Sequence, residues 1–111
     1  MRQDEDRLHD ILNAIESIER YSDQGREAFE SDELIQIWMV HYLQIIGEAA
    51  RTISSQLKES HPSTPWESIA GFRNLVVHEY FRVDLNVVWE IVVHDLQGLK
   101  IQIRKILASL K

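Results

Sequence analysis

Toward the C-terminus eight apolar residues, Leu85, Trp89, Val92, Leu96, Leu99, Ile103, Ile106 and Leu110, follow one another at spacings that alternate four and three. That rhythm keeps them on one side of an α-helix, whereas a strand would scatter them over both faces. A seam of this length needs a long helical neighbour, from the same chain or from a second copy. Asp84, just before it, is the expected N-cap. No strand-like alternation persists elsewhere, so the rest of the chain must supply helices to meet that seam.

A first amphipathic helix is expected from about Asp4 to Tyr21, with Leu8, Ile11, Ile15 and Ile18 on one face. The stretch "SDQGREAFES" breaks the pattern around Gly25. A long second helix is expected from about Asp32 to Glu59. It carries two adjacent stripes: Ile35, Trp38, Tyr42, Ile45, Ala49, and Met39, Leu43, Ile46, Ala50, Ile53, Leu57. A helix apolar over so wide an arc is covered on more than one side. In "SHPSTPWE", Thr64, Pro65 and Glu67 fit an N-cap, a first-turn proline and a capping box, which starts a third helix running to Val77 or Glu79. The expected fold is all-α, an up-and-down four-helix bundle in a single domain over residues 1–111. The Trp, Met and Tyr residues in the stripes are read as core, because nothing polar converges on them as a cofactor site would require.

With 111 residues, 44% of them apolar, the core is real but modest, and oligomerisation would add stability. The chain has no cysteine, which excludes disulfides and thiolate metal sites. The start, "MRQDEDRLHD", lacks the apolar core of a secretory signal, and the longest apolar run is only Ile37 to Val40. A soluble, cytoplasmic protein with no membrane role is expected. The net charge of −6 argues against sequence-blind nucleic-acid binding. The charge is uneven, however. Residues 1–50 hold four arginines against twelve acids, a balance of −8, and residues 51–111 hold eight bases against six acids, a balance of +2. A polyanion should meet the second half, while the acidic first half reads as a solvated face or a surface for a basic partner.

Within "GFRNLVVHEYF", an arginine, an asparagine, a histidine and a tyrosine interrupt an apolar pattern. Arg73 stays protonated at any ordinary pH, so it suits phosphate binding and the stabilisation of charge developing on phosphorus. Taken alone it is better read as one partner of a salt bridge to a helix acid such as Glu67 or Glu48. His78 has the side chain that can exchange protons near neutrality, though a histidine near a helix C-terminus is also favoured by the macrodipole. Asn74 lies four residues before His78 and could orient its ring or contact phosphate. Tyr80 by default anchors a helix end. His9, His41, His61 and His94 lack comparable polar neighbours and read as structural.

Arg73 and His78, five apart, are separated by ~140° around a regular helix. Either the helix loosens before His78, or a second chain completes the site. Cleaving RNA through its 2′-hydroxyl needs both a base and an acid, and a two-fold dimer would supply two histidines with two arginines between them. Other chemistries fit less well. "HEYFR" lacks the second histidine of a zinc protease, and there is no Walker loop, Rossmann glycine pattern or serine-nucleophile context.

"RNLVVHEY" fits R-x-x-x-x-H-x-Y with a polar residue directly after the arginine, and so resembles the HEPN superfamily and within it the HepT toxin family. "IIGEAA", "PWESIAGFRN" and "VDLNVVWEIV" extend the likeness over nearly the whole chain. The resemblance implies a homodimeric, all-helical, metal-independent ribonuclease without cofactor, the toxin of a toxin–antitoxin pair. It implies Arg73 and His78 as the catalytic pair and Asn74 as support. It also implies an MNT-type nucleotidyltransferase antitoxin that silences the toxin by transferring AMP to Tyr80. RNA, not DNA, is the implied substrate. A competing expectation is a non-catalytic helical partner that positions a nucleotidyltransferase. A third is a bundle whose polar cluster merely satisfies buried groups.

Overall fold

The computed structural model describes residues 2–74 and 84–110, and among these every regular element is helical. Helix α1 (Arg2–Ser22) follows the expected face: Leu8, Ile11, Ile15 and Ile18 are wholly buried. Gly25 then turns the chain with φ 94°, a left-handed conformation that glycine adopts at little cost. The segment read as a break holds a short helix, α2 (Arg26–Ser31). Its signal was a lone Phe29, which is buried and packs its ring against Trp89 at 5.2 Å. One large apolar residue in six, with only Ala28 beside it, is too little periodicity to announce a helix.

Asp32 caps α3 (Glu33–Thr52), its carboxylate accepting from the Leu34 amide at 2.9 Å. The Met39–Leu43–Ile46–Ala50 stripe is fully buried, while Trp38, Tyr42 and Ile45 beside it are half-buried. Trp38 donates its indole N–H to the Ser17 carbonyl at 2.7 Å, fastening α3 to α1. The wide arc therefore has two kinds of cover: α1 and α2 on one side, and the following elements on the other.

The second helix does not run through to Glu59. It stops at Thr52, Ile53 and Ser54 are extended, and α4 (Ser55–Ser60) begins anew with Ser54 as its cap. The break was masked because Ile53 and Leu57 keep the apolar rhythm on both sides of it and are both buried. Two polar interactions hold it. Thr52 bonds back to the Glu48 and Ala49 carbonyls, and Asp4 of α1 accepts both the Ser54 amide (2.9 Å) and the Ser54 hydroxyl (2.6 Å). Asp4 is nearly fully buried by this arrangement.

The third helix also departs from expectation at its start. The expected capping box is not formed: Pro65 occupies the cap position with no side-chain cap bond, and α5 spans only Trp66–Ala70. Thr64 is buried, and its carbonyl accepts the Trp66 amide at 2.8 Å, while the Trp66 indole donates to the His61 carbonyl at 3.0 Å. Anchoring the tryptophan takes precedence over the cap. A 3₁₀ turn, Gly71–Arg73, follows α5.

Asp84 caps the last stretch as expected, accepting from the Asn86 and Val87 amides. The backbone continues through α6 (Leu85–Glu90), a π-helical segment (Ile91–Asp95) and α7 (Leu96–Ser109). Trp89, Val92, Leu96, Leu99, Ile103 and Ile106 are all buried, and Leu85 and Leu110 partly so. The long neighbour is α1, whose Glu19 binds Lys100 at 2.7 Å along the shared edge. Among the described residues no helix is long and apolar enough to cross a membrane.

Replacing Asp4 with alanine leaves the half-buried Ser54 amide without its partner. The expected loss is about 1–3 kcal/mol in denaturant unfolding, with the slope of the transition unchanged.

Candidate functional site

Position 47 decides how closely the 3₁₀ turn can approach α3. A β-carbon built on Gly47 would lie 2.6 Å from the Arg73 backbone nitrogen, 3.1 Å from the Ala70 carbonyl oxygen and 3.2 Å from the Arg73 β-carbon. Two of these atoms are backbone and cannot swing aside. Only glycine lets the turn lie directly on the helix, and Gly47 itself is buried there. Phe72, partly buried, packs its ring against the core, and Arg73 emerges beside Glu48, the next residue of α3.

Of the two acids weighed as partners for Arg73, the structure chooses Glu48. Arg73 Nη1 lies 3.5 Å from Glu48 Oε2. The same carboxylate is gripped more tightly by Arg51, with Nη2 2.6 Å from Oε1 and Nε 3.3 Å from Oε2. All three side chains are about half exposed. The Arg51 hydrogen bond holds the Glu48 carboxyl below its ordinary range; partial desolvation opposes this, and the charges of Arg51 and Arg73 add to it. Arg51 is correspondingly raised by Glu48. A carboxylate stabilised as an anion in this way suits the holding of the two arginines better than the acceptance of protons.

Lys58 of α4 adds a third cation, its ammonium 3.3 Å from the Arg51 carbonyl oxygen. Arg73 and Arg51 share the Glu48 carboxylate and Lys58 meets the Arg51 backbone, so three cations gather around one acid on a chain that is acidic in total.

Asn74 follows Arg73 at once, is exposed, and donates its amide N–H to the Gly71 and Phe72 carbonyls. His78 and Tyr80 lie outside the described residues. Arg73 itself closes the 3₁₀ turn, and Asn74 after it is again α-helical. The four other histidines do not join the site. His94 pairs with Glu90 at 3.0 Å, the His61 carbonyl receives the Trp66 indole, and His41 lies edge-on to Tyr42. An apolar hollow of about 550 Å³ at the start of α3, lined by Leu34, Ile37, Trp38 and His41, includes none of the candidate residues. Among the described residues no three or more His, Asp or Glu side chains gather so as to hold a metal ion.

Gly47 does not stand out as a site residue in the sequence, and Glu48 stands out only as one of two possible partners for Arg73. Their signal was the motif "GEAA" inside an otherwise bulky helix face, where a glycine gives up helix stability for no local reason. Gly47→Ala should shift amide resonances of Ala70 to Arg73 and cost about 1–3 kcal/mol, because backbone must move. Gly98→Ala is the control. Nothing lies within 4 Å of a β-carbon there, so stability should hold or rise by about 0.5–1 kcal/mol.

Comparisons with known proteins place this geometry in a family. The model of the family described as "Ribonuclease HepT-like" matches residues 11–106. A Thermococcus cleftensis protein named "Probable ribonuclease HepT" is 38% identical over 106 residues, covering 95% of this chain and 96% of its own. Relatives named as candidate RNases occur in Caldanaerobacter subterraneus subsp. tengcongensis (35% identical, 94% of both chains) and in Methanocaldococcus jannaschii (36% identical, 84% of this chain and 86% of its own). No solved structure gives a significant match. With a match over nearly its whole length, the chain belongs to the ribonuclease HepT-like family of the HEPN superfamily.

Proposed function

We propose that this protein is a metal-independent endoribonuclease, the toxin of a toxin–antitoxin pair, with Arg73 and His78 as its catalytic residues. The observation that carries this reading is the exposed guanidinium of Arg73, whose backbone is seated on Gly47 and which pairs with Glu48, in a chain of a ribonuclease family. The active form is a homodimer of up-and-down four-helix domains, each spanning residues 1–111, in which two copies of the motif face one phosphodiester. The sequence motif and the need for two proton-transfer groups support that assembly.

The reaction divides simply among these groups. One His78 imidazole takes the proton of the ribose 2′-hydroxyl, whose oxygen forms a bond to phosphorus. The partner's His78, protonated, gives its proton to the departing 5′-oxygen as that bond breaks. The products are a 2′,3′-cyclic phosphate end and a 5′-hydroxyl end. Arg73 stabilises the added charge on the phosphoryl oxygens, and Asn74 supports the site. DNA lacks the attacking hydroxyl and is not cleaved.

Control is exerted at Tyr80, to which an MNT-type nucleotidyltransferase antitoxin transfers AMP from ATP, releasing pyrophosphate. The added phosphate and base, two residues from His78, would compete with RNA for Arg73 by charge and bulk.

Unmodified protein incubated with RNA in the presence of a chelator should cleave it. Arg73→Ala and His78→Ala should each lose about 100-fold or more of that activity while retaining wild-type unfolding behaviour. No cleavage by the unmodified wild type would instead favour a non-catalytic partner of a nucleotidyltransferase. With that partner and ATP, wild-type protein should gain the mass of AMP and Tyr80→Phe should not; AMP on the phenylalanine variant would remove Tyr80 from the scheme.

A further inference from the structure

We propose that Arg51 is a second phosphate-binding residue, which holds the RNA strand beside the phosphodiester engaged by Arg73. This rests on the ribonuclease reading above and extends it to a residue outside the motif. Two contacts carry it. Arg73 Nη1 and Arg51 Nε approach the same oxygen, Glu48 Oε2, at 3.5 Å and 3.3 Å, so those two nitrogens lie just under 7 Å apart at most.

One arginine would suffice to neutralise Glu48. Two guanidinium groups on one carboxylate leave a positive doublet, and at a half-exposed surface an ion pair of this kind adds little to folding. Neither guanidinium is used up. Arg51 spends Nε and Nη2 on Glu48, and Arg73 spends Nη1, out of five N–H donors each. The remaining donors suit the planar recognition of phosphate oxygens. Lys58, whose ammonium meets the Arg51 carbonyl oxygen, adds a further positive charge near Arg51. A single RNA strand carries one phosphate per nucleotide, so a strand engaged at Arg73 brings neighbouring phosphates to these cations. Glu48 keeps the two like charges together in the free protein and orients both.

The test uses full-length unmodified protein and a short single-stranded RNA in two forms. An all-2′-O-methyl version, which cannot be cleaved, reports binding against salt, and the ordinary RNA reports kcat and KM. Arg51→Gln should weaken binding about tenfold at low salt and reduce the slope of log K against log salt by about 0.7, the loss of one phosphate contact. KM should rise in step while kcat stays within about twofold. Arg51→Lys should restore most of the slope, because it returns the charge. An unchanged slope and KM in Arg51→Gln, with wild type active, would overturn the proposal and leave the ribonuclease reading intact. A fall in kcat at constant KM and slope would overturn it too, by making Arg51 a mere support for Arg73. A wild type that neither binds nor cleaves RNA would remove the ribonuclease reading itself, and this inference with it.

Discussion

Helix α3 is apolar over too wide an arc for one neighbour to cover, and the surrounding chain is arranged to meet that demand. Met39, Leu43, Ile46 and Ala50 go into the core against α1, while the adjoining flank receives α5 and the 3₁₀ turn. Burying each large side chain contributes about 1.5–3 kcal/mol, so no arrangement leaving half the arc in water could compete. The last helix then closes over α1 with its own unbroken seam. The candidate site lies where α3 changes from bulky to small residues, at Gly47, Ala49 and Ala50.

That change of size links fold to chemistry. Small residues let a neighbouring backbone approach α3 far more closely than side-chain packing would allow. The turn that comes closest carries Arg73. Burial of Gly47 therefore does more than fill space: it fixes the backbone from which the Arg73 guanidinium projects. The acid next to it, Glu48, restrains the far end of that long side chain. An arginine has considerable rotamer entropy to lose on binding, and these two restraints leave less of it to lose in any contact the guanidinium makes.

Legibility in the sequence depended on how many residues shared a signal. The α1 face and the last seam rested on four and eight apolar positions, and the burial pattern follows them closely. Asp32 and Asp84 were readable as helix starts because a cap acts on its own next two or three residues. Where a signal rested on one residue, or where two signals competed, the reading failed. Phe29 alone could not announce α2. The Ser54 break hid under a continuous stripe. Thr64 looked like a cap but is committed to seating Trp66. Arg73 and Asn74 stood out because charged and amide side chains interrupt an apolar run, whereas Gly47 and Glu48 resemble ordinary helix residues until their neighbours are known.

What the sequence determined by itself was the set of helical faces and the identity of the polar cluster, since periodicity and residue chemistry are local properties of the chain. The all-helical class and the R-x-x-x-x-H-x-Y motif needed nothing further. Only the tertiary structure decided that Gly47 lies against the Arg73 backbone, that Glu48 and not Glu67 receives its guanidinium, and that Arg51 shares the same carboxylate. Those contacts join residues up to 26 positions apart, Gly47 to Arg73, through the packing of α5 and its turn on α3. No local pattern encodes a distance of that kind, because it is set by how closely two backbones pack.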